Sequence, residues 1–396
     1  MVRRRLSILG ATGSIGRSTV DVIEGQGGAS AFEVVAVTGG SNAALLAEQA
    51  RALGARLAVV ADEGAWPALR DALAGTGIEA AAGDAAVEAA AGEAADWCMS
   101  AIAGAAGLRP TVAAVRAGAA LALANKESMV CAGPLVLAEA EAAGVPVLPV
   151  DSEHNAIFQV LERRRPEAVE RIVLTASGGP FRDWPRERMA AVTPEQAMDH
   201  PNWSMGAGIS IDSATMFNKG LELIEAALLF DMPGRRIDVL VHPQSIVHSM
   251  VAYTDGSVLA QLGTPDMRTP IAYALGWPER LETDVERLDL ATLGRLDFEP
   301  PDEARFPALR LAREALEAGG LAPCALNAAK ERAVEAFVAG RLGFLEIATV
   351  VEQVLGEVSA RGAAGDLDAV LAADAEARRV ADARITARAG MTPETA

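Results

Sequence analysis

The stretch Gly10-Ala11-Thr12-Gly13-Ser14-Ile15-Gly16 constrains this chain more than any other. It lies between an apolar run at 6–9 and the start of a helical pattern. Glycines three apart let a backbone approach a pyrophosphate, and a helix opening there offers N–H donors and the positive end of its dipole. The spacing is GxxGxxG, a variant of the dinucleotide fingerprint, and a structural glycine turn is the plainer alternative. Context favours the nucleotide. Further apolar runs at 33–38, 57–61, 97–102, 121–124 and 145–150 alternate with helical patterns such as 43–53 and 135–143. That alternation predicts βαβ units on a parallel sheet, so residues 1–150 are expected to form a Rossmann-like nucleotide domain. The second run ends in Val37-Thr38-Gly39-Gly40-Ser41-Asn42, without the carboxylate that usually binds the ribose hydroxyls of NAD. Hydroxyl and amide donors there suit a 2′-phosphate, and NADPH is the expected cofactor.

The rhythm changes after residue 150. A strand at 172–175 leads into a glycine turn, followed by an irregular polar segment and a helix over 213–230. Strands are predicted at 237–242, 246–253 and 257–262, the last two joined by Thr254-Asp255-Gly256, a hairpin signal. Residues 151–285 therefore read as an α+β domain with an antiparallel element. A connection rich in acids and proline spans 282–307, with 286–307 as the linker proper. The remainder, 308–396, is helical with breaks near 319–320, 340–343 and 361–365, as in a small bundle. The fold class expected is α/β: parallel sheet, central α+β domain, C-terminal helical bundle.

A chain of 396 residues with 51% hydrophobic and 22% charged residues is globular and too long for one core. Its net charge, 35 − 53 = −18, argues against nucleic acid or an anionic membrane surface as partner. No apolar run approaches the ~18 residues of a membrane span. The start lacks the apolar core of a secretory signal and reads as a mature N-terminus. Cys98, Cys131 and Cys324 are too scattered for a disulfide framework or a CxxC site. A cytoplasmic protein is expected.

Only three lysines, Lys126, Lys219 and Lys330, stand against 32 arginines; two of them follow asparagine, in Asn125-Lys126 and Asn218-Lys219, and there a compact charge is needed where a planar fork would not do. Asp151 and Glu153 follow a strand; if strand geometry persists, both point to one side and offer a hard-cation site. Capping of the next helix is the equally plain reading of Asp151-Ser152. Ser177-Gly178-Gly179 ends another strand, and with Ser213, Thr215, Asn218 and Lys219 could cradle a phosphomonoester. Lys219 and Glu222 share a helix face, where an ordinary surface ion pair is the bland alternative. His242 and His248 on apolar strands carry no assigned role. Trp203 and Met205, in the loop 199–208, belong to a lid or to a packing anchor.

Together these motifs resemble 1-deoxy-D-xylulose 5-phosphate reductoisomerases. The series runs Gly10–Gly16, Leu123-Ala124-Asn125-Lys126-Glu127-Ser128, then Val150 to Gln159 with Asp-Ser-Glu-His-Asn. It continues through Ala176 to Arg182, Asp212 to Glu222, His242 to Val251, and Asp266-Met267-Arg268-Thr269-Pro270. The C-terminal helices match only in kind. The resemblance implies a homodimer acting on a sugar phosphate with NADPH and a divalent cation (Mg²⁺, Mn²⁺ or Co²⁺). It assigns catalysis and dimerisation to residues 151–285. It implies Asp151, Glu153 and Glu222 as metal ligands, and Lys126 and Ser152 against the substrate's oxygenated backbone, with Lys126 counted among the catalytic groups. Ser177, His200, Ser213, Asn218 and Lys219 would hold the phosphate. Thr12, Gly13, Ser14, Ile15, Gly40, Ser41, Asn42, Asn125, Glu127 and Gly206 would meet NADPH, with Trp203 and Met205 on a closing flap. Ala207-Gly208 departs from the pattern, since a basic residue is expected there in many members. Two rivals remain at this stage: another NAD(P)-dependent dehydrogenase of small acidic substrates, which needs no metal, and a non-catalytic NADP sensor.

Overall fold

The computed structural model describes residues 3–199, 206–358, 362 and 364–389. These fall into two compact units. The first comprises 1–128, 136–155 and 266–287; the second comprises 129–135, 156–265 and 288–396.

The first unit is built on a seven-stranded parallel sheet. Its strands are β1 (Arg4–Leu9), β2 (Phe32–Gly39), β3 (Leu57–Val60), β4 (Glu79–Ala82), β5 (Trp97–Ser100), β6 (Ala120–Leu123) and β7 (Val147–Pro149), in the order β4-β3-β2-β1-β5-β6-β7. Central strands of a parallel sheet are covered on both faces, which is why β1 carries the fully buried Leu6, Ile8 and Leu9 in an almost unbroken apolar run. The strand order reverses between β1 and β5. Crevices at the carboxyl ends of strands form at such a reversal, and the glycine turn at Gly10 sits there. β4 was not foreseen, because Glu-Ala-Ala-Ala carries no β-branched or aromatic residue.

The segment 266–287 lies within the stretch assigned from sequence to the central domain, and it packs in this first unit. Its helix Arg268–Gly276 lies against the helix Ser14–Gly25. The indole N–H of Trp97, fully buried, donates to the carbonyl of Ala274 at 3.1 Å. Arg268 bridges Asp266 at 2.7 Å and Asp21 at 3.2 Å.

The second unit holds a four-stranded sheet of β8 (Val169–Ala176), β9 (Ile237–Val241), β10 (Val247–Tyr253) and β11 (Val258–Leu262), ordered β11-β10-β8-β9. β10 runs antiparallel to both neighbours, while β8 and β9 are parallel. The predicted hairpin joins β10 to β11. Gly256 takes φ +87°, and Asp255 accepts a hydrogen bond from the Ser257 N–H at 2.8 Å. One large apolar cluster runs from this sheet through the helix Phe217–Leu229 into the helices Ala308–Ala318, Ala322–Val338, Glu346–Glu357 and Leu367–Ala389.

Two local expectations need correction. The helix expected over 213–230 is two helices, Ala207–Ala214 and Phe217–Leu229, separated at Met216 in the left-handed region (φ 65°). The strand before Asp151 does not continue to 153. β7 ends at Pro149 and a helix begins at Ser152, with Asp151 Oδ1 accepting the N–H groups of Glu153 (3.1 Å) and His154 (3.4 Å). That is helix capping, and the shared strand face for Asp151 and Glu153 does not exist.

Candidate active site

The turn after β1 has no room for side chains. A Cβ on Gly10 would stand 2.5 Å from the Ala101 carbonyl oxygen, and one on Gly16 2.2 Å from that of Gly10. Gly10 also takes φ +87°. Thr38 on β2 ties the turn down: its hydroxyl accepts the Gly10 N–H at 3.0 Å and its carbonyl accepts the Ala11 N–H at 2.7 Å. This role was missed, although a buried threonine within Val-Ala-Val-Thr-Gly-Gly was the available signal. Helix Ser14–Gly25 starts at Gly13 with no side-chain cap and no acid in its first turn. Its leading N–H groups and dipole thus favour an anion. Thr12 and Ile15 are half-buried, and Gly13 and Ser14 exposed, around this opening. Gly40, Ser41 and Asn42 are exposed after β2, and Asn42 caps the next helix by accepting the Leu45 N–H at 3.1 Å.

Asn125 is 2% exposed, and its side chain is engaged on every side. Its oxygen accepts the Ser128 N–H at 2.9 Å as a helix cap. Its amide donates to the carbonyls of Ile102 (2.6 Å) and Gly104 (3.0 Å) and to the Glu127 carboxylate (2.9 Å). The cap aims the next residue: Lys126 Nζ lies 2.9 Å from Asp151 Oδ2, both side chains about one-tenth exposed. The Ser152 hydroxyl donates to Glu153 Oε2 at 2.9 Å.

On helix Phe217–Leu229, Glu222 is fully buried with both carboxylate oxygens held. Asn218, one turn earlier, donates to Oε1 at 2.5 Å, and Lys219 pairs with Oε2. This is no surface ion pair. An ammonium and a carboxylate with almost no exposure signal a site where charge is required. Asp151 and Glu153 belong to the first unit and Glu222 to the second.

Ser177 ends β8 and folds back, its hydroxyl accepting the Gly179 N–H at 3.2 Å. Gly178 and Gly179 have φ of +82° and +69°, and a Cβ on Gly179 would meet the Ser213 carbonyl oxygen at 2.8 Å. The Ser177 turn therefore packs directly on the end of helix Ala207–Ala214. Gly206 is exposed at the start of that helix. His200, Trp203 and Met205 lie outside the described residues. His242 is a packing residue: Nδ1 contacts the Asp297 carbonyl at 2.7 Å, Nε2 accepts the Ile246 N–H at 3.2 Å, and the ring stacks on Phe298.

Comparison with known proteins identifies the family. Family profiles described as "1-deoxy-D-xylulose 5-phosphate reductoisomerase", its "C-terminal domain", and "DXP reductoisomerase C-terminal domain" match residues 6–133, 147–230 and 262–380. The chain belongs to the 1-deoxy-D-xylulose 5-phosphate reductoisomerase family. A reductoisomerase of this name from Rhizobium rhizogenes is 60% identical over 386 residues, covering 98% of this chain and 97% of its own. The solved reductoisomerase of Zymomonas mobilis in complex with NADPH is 50% identical with a TM-score of 0.91, over 97% of this chain and 99% of that one. A reductoisomerase solved with NADPH, fosmidomycin and magnesium has a TM-score of 0.93 at 43% identity, over 97% and 98% of the two chains. The family resemblance seen in the motifs thus extends over nearly the whole chain, including the C-terminal helices.

Proposed function

We propose that this chain converts 1-deoxy-D-xylulose 5-phosphate to 2-C-methyl-D-erythritol 4-phosphate, in the non-mevalonate route to isoprenoid precursors, with NADPH and a divalent cation. The observation that carries this reading is a pair of nearly buried lysine–carboxylate contacts, Lys126 with Asp151 in the first unit and Lys219 with Glu222 in the second, in a chain that matches the family throughout; Asp151, Glu153 and Glu222 are the proposed donors to one cation. Three hard oxygen donors suit Mg²⁺ or Mn²⁺, and the two ammonium groups mark where positive charge is needed. The glycine turn at the sheet's reversal point suits a dinucleotide pyrophosphate.

Asp151, Glu153 and Glu222 would hold the cation, which would supply Lewis-acid polarisation of substrate oxygens, and NADPH would supply the hydride. The protein's part is preorganisation. Glu222 is pinned by Asn218 and Lys219, so its orientation is set before ligands arrive. Lys219 and Asn218 would also serve the substrate phosphate, together with Ser177, Ser213 and His200. Lys126 and Ser152 face the reacting oxygens, and the Lys126 ammonium holds a proton beside them. Thr12, Gly13, Ser14, Ile15, Gly40, Ser41, Asn42, Asn125, Glu127 and Gly206 are assigned to NADPH. Because the Asn125 side chain is saturated, its contact is assigned to the backbone. The segment carrying Trp203 and Met205 is assigned the role of excluding water.

A homodimer is part of this proposal. β11 pairs only with β10 among the described residues, and it exposes Val258 (56%), Leu259 (49%) and Leu262 (36%). An uncovered edge of that kind invites aggregation, and a second copy of the chain is the proposed cover. No helix among the described residues is long and apolar enough to cross a membrane. Three buried free cysteines suit a reducing compartment such as the cytoplasm. The decisive experiment is NADPH oxidation with deoxyxylulose phosphate before and after exhaustive chelation. Activity should vanish on chelation and return with Mg²⁺ or Mn²⁺; metal-free turnover would favour an ordinary dehydrogenase.

A further inference from the structure

All three lysines of this chain end in buried carboxylate pairs. Two of them, Lys126 and Lys219, belong to the site above. The third, Lys330 on helix Ala322–Val338, is 3% exposed and places Nζ 2.8 Å from Oδ2 of Asp212, itself 6% exposed. Asp212 immediately precedes Ser213, in the last turn of helix Ala207–Ala214. Its other oxygen, Oδ1, has no hydrogen-bond partner among the described residues.

Helix Ala207–Ala214 has little of its own to hold it in place. Eight residues are too few for an independent helix, and Gly208, Ile209 and Ile211 are weak helix formers. It starts at Gly206 without a side-chain cap and is followed by Met216 at φ 65°. Yet its final turn has no slack, because a Cβ on Gly179 would stand 2.8 Å from Ser213 O and 3.0 Å from Ala214 Cα. The turn that carries Ser177 thus bears on one side of this backbone. The residues one helical turn to either side of Lys330, Leu326, Asn327, Ala333 and Val334, are all buried. A thin aliphatic stem ending in a compact charge suits such a face better than a guanidinium fork. That is a physical reason for lysine in a chain that otherwise uses arginine.

We infer that the Asp212–Lys330 pair is a positioning device for the phosphate end of the substrate. It anchors the last turn of helix Ala207–Ala214 to the C-terminal helices, and so sets Ser213 against the Ser177-Gly178-Gly179 turn without touching substrate. The inference rests on the assignment of Ser177 and Ser213 to the phosphate made above.

The test compares Lys330→Met, and a double variant Asp212→Leu with Lys330→Met, against the unchanged protein. The double variant leaves no unpaired carboxylate at position 212, while Glu331 keeps its partner Arg378, and it guards against a fold lost in the single one. KM and kcat for deoxyxylulose phosphate, competitive inhibition by inorganic phosphate, and NADPH affinity are measured. In both variants KM and the phosphate inhibition constant should rise about ten-fold, with kcat changed by no more than about two-fold, the usual scale for a lost supporting contact. NADPH affinity should stay as it was. A pair that only stabilises the fold would lower kcat with the active fraction and leave KM and phosphate inhibition alone. That pattern, or unaltered phosphate inhibition in the folded double variant, overturns the inference. Absence of any turnover by the unchanged protein would instead overturn the functional reading.

Discussion

The glycine turn after β1 and the helix Phe217–Leu229 both prepare for a charged ligand, and they do so by opposite means. The turn carries no charged side chain of its own; the one nearby, Arg17, donates to the Thr12 carbonyl at 3.1 Å. Its equipment is N–H groups, a helix dipole and the space left where Gly10 and Gly16 lack a Cβ. The helix uses side chains alone: a fully buried Glu222 held by Asn218 and Lys219. A site of the first kind is vulnerable to added volume and tolerant of charge changes nearby. A site of the second kind tolerates equal-volume replacement sterically and fails when a charge is removed.

Four experiments sharpen that contrast. Glu222→Gln keeps the volume and removes the charge; kcat should fall by roughly 10³-fold, the equivalent of several kcal/mol of cation-dependent stabilisation. NADPH binding, followed by its fluorescence, should persist in that variant. Weakened NADPH binding alongside intact turnover would break the contrast. Gly16→Ala adds a single carbon and no charge, against a carbonyl 2.2 Å away. Overpacking of this kind costs about 2 kcal/mol, and NADPH affinity should drop about ten-fold or more, with metal affinity in calorimetry unaffected.

Ser41→Asp places a carboxylate where a 2′-phosphate is expected. The NADPH-over-NADH preference in kcat/KM should narrow by roughly five-fold, as one partly screened repulsion would give. An unchanged ratio would move the 2′-phosphate elsewhere. The smallest effect concerns Asp266. Burial opposes its ionisation, but the hydrogen bonds and charge of Arg268 outweigh that and hold the carboxyl below the usual carboxylate range. A carboxyl lowered by folding contributes stability above its unfolded pKa and loses it as the pH falls through its folded pKa. Asp266→Asn should therefore lower Tm by a few degrees at neutral pH, with the difference closing as the pH drops below about 4. A difference constant across that range would detach the ion pair from stability.

The sequence disclosed the first kind of site more readily than the second. Strand, glycine spacing and helix start are all local, so the turn at Gly10 and the βαβ rhythm were legible without any tertiary information. Lys219 and Glu222 were legible only as residues three apart; that both are buried is a tertiary property with no local signature. The break at Met216 left no trace, since methionine has no preference for the left-handed region. Asp151 misled in an instructive way. Its Oδ1 caps the next helix while its Oδ2 pairs with Lys126, so capping does not use up the carboxylate. β4 was hidden by alanine, whose presence says helix while the pairing with β3 says strand.

The return of residues 266–287 to the first unit has a consequence for the order in which the protein can be made. Domains usually fold as they leave the ribosome, N-terminal part first. Here the indole of Trp97 waits for the carbonyl of Ala274, 177 positions later, and Arg4 for that of Leu275. The sheet of the first unit therefore emerges with one of its covering helices unsynthesised, and the whole span 156–265 must pass before that helix arrives. During translation an apolar surface around Trp97 stays open, a standing opportunity for holdase chaperones.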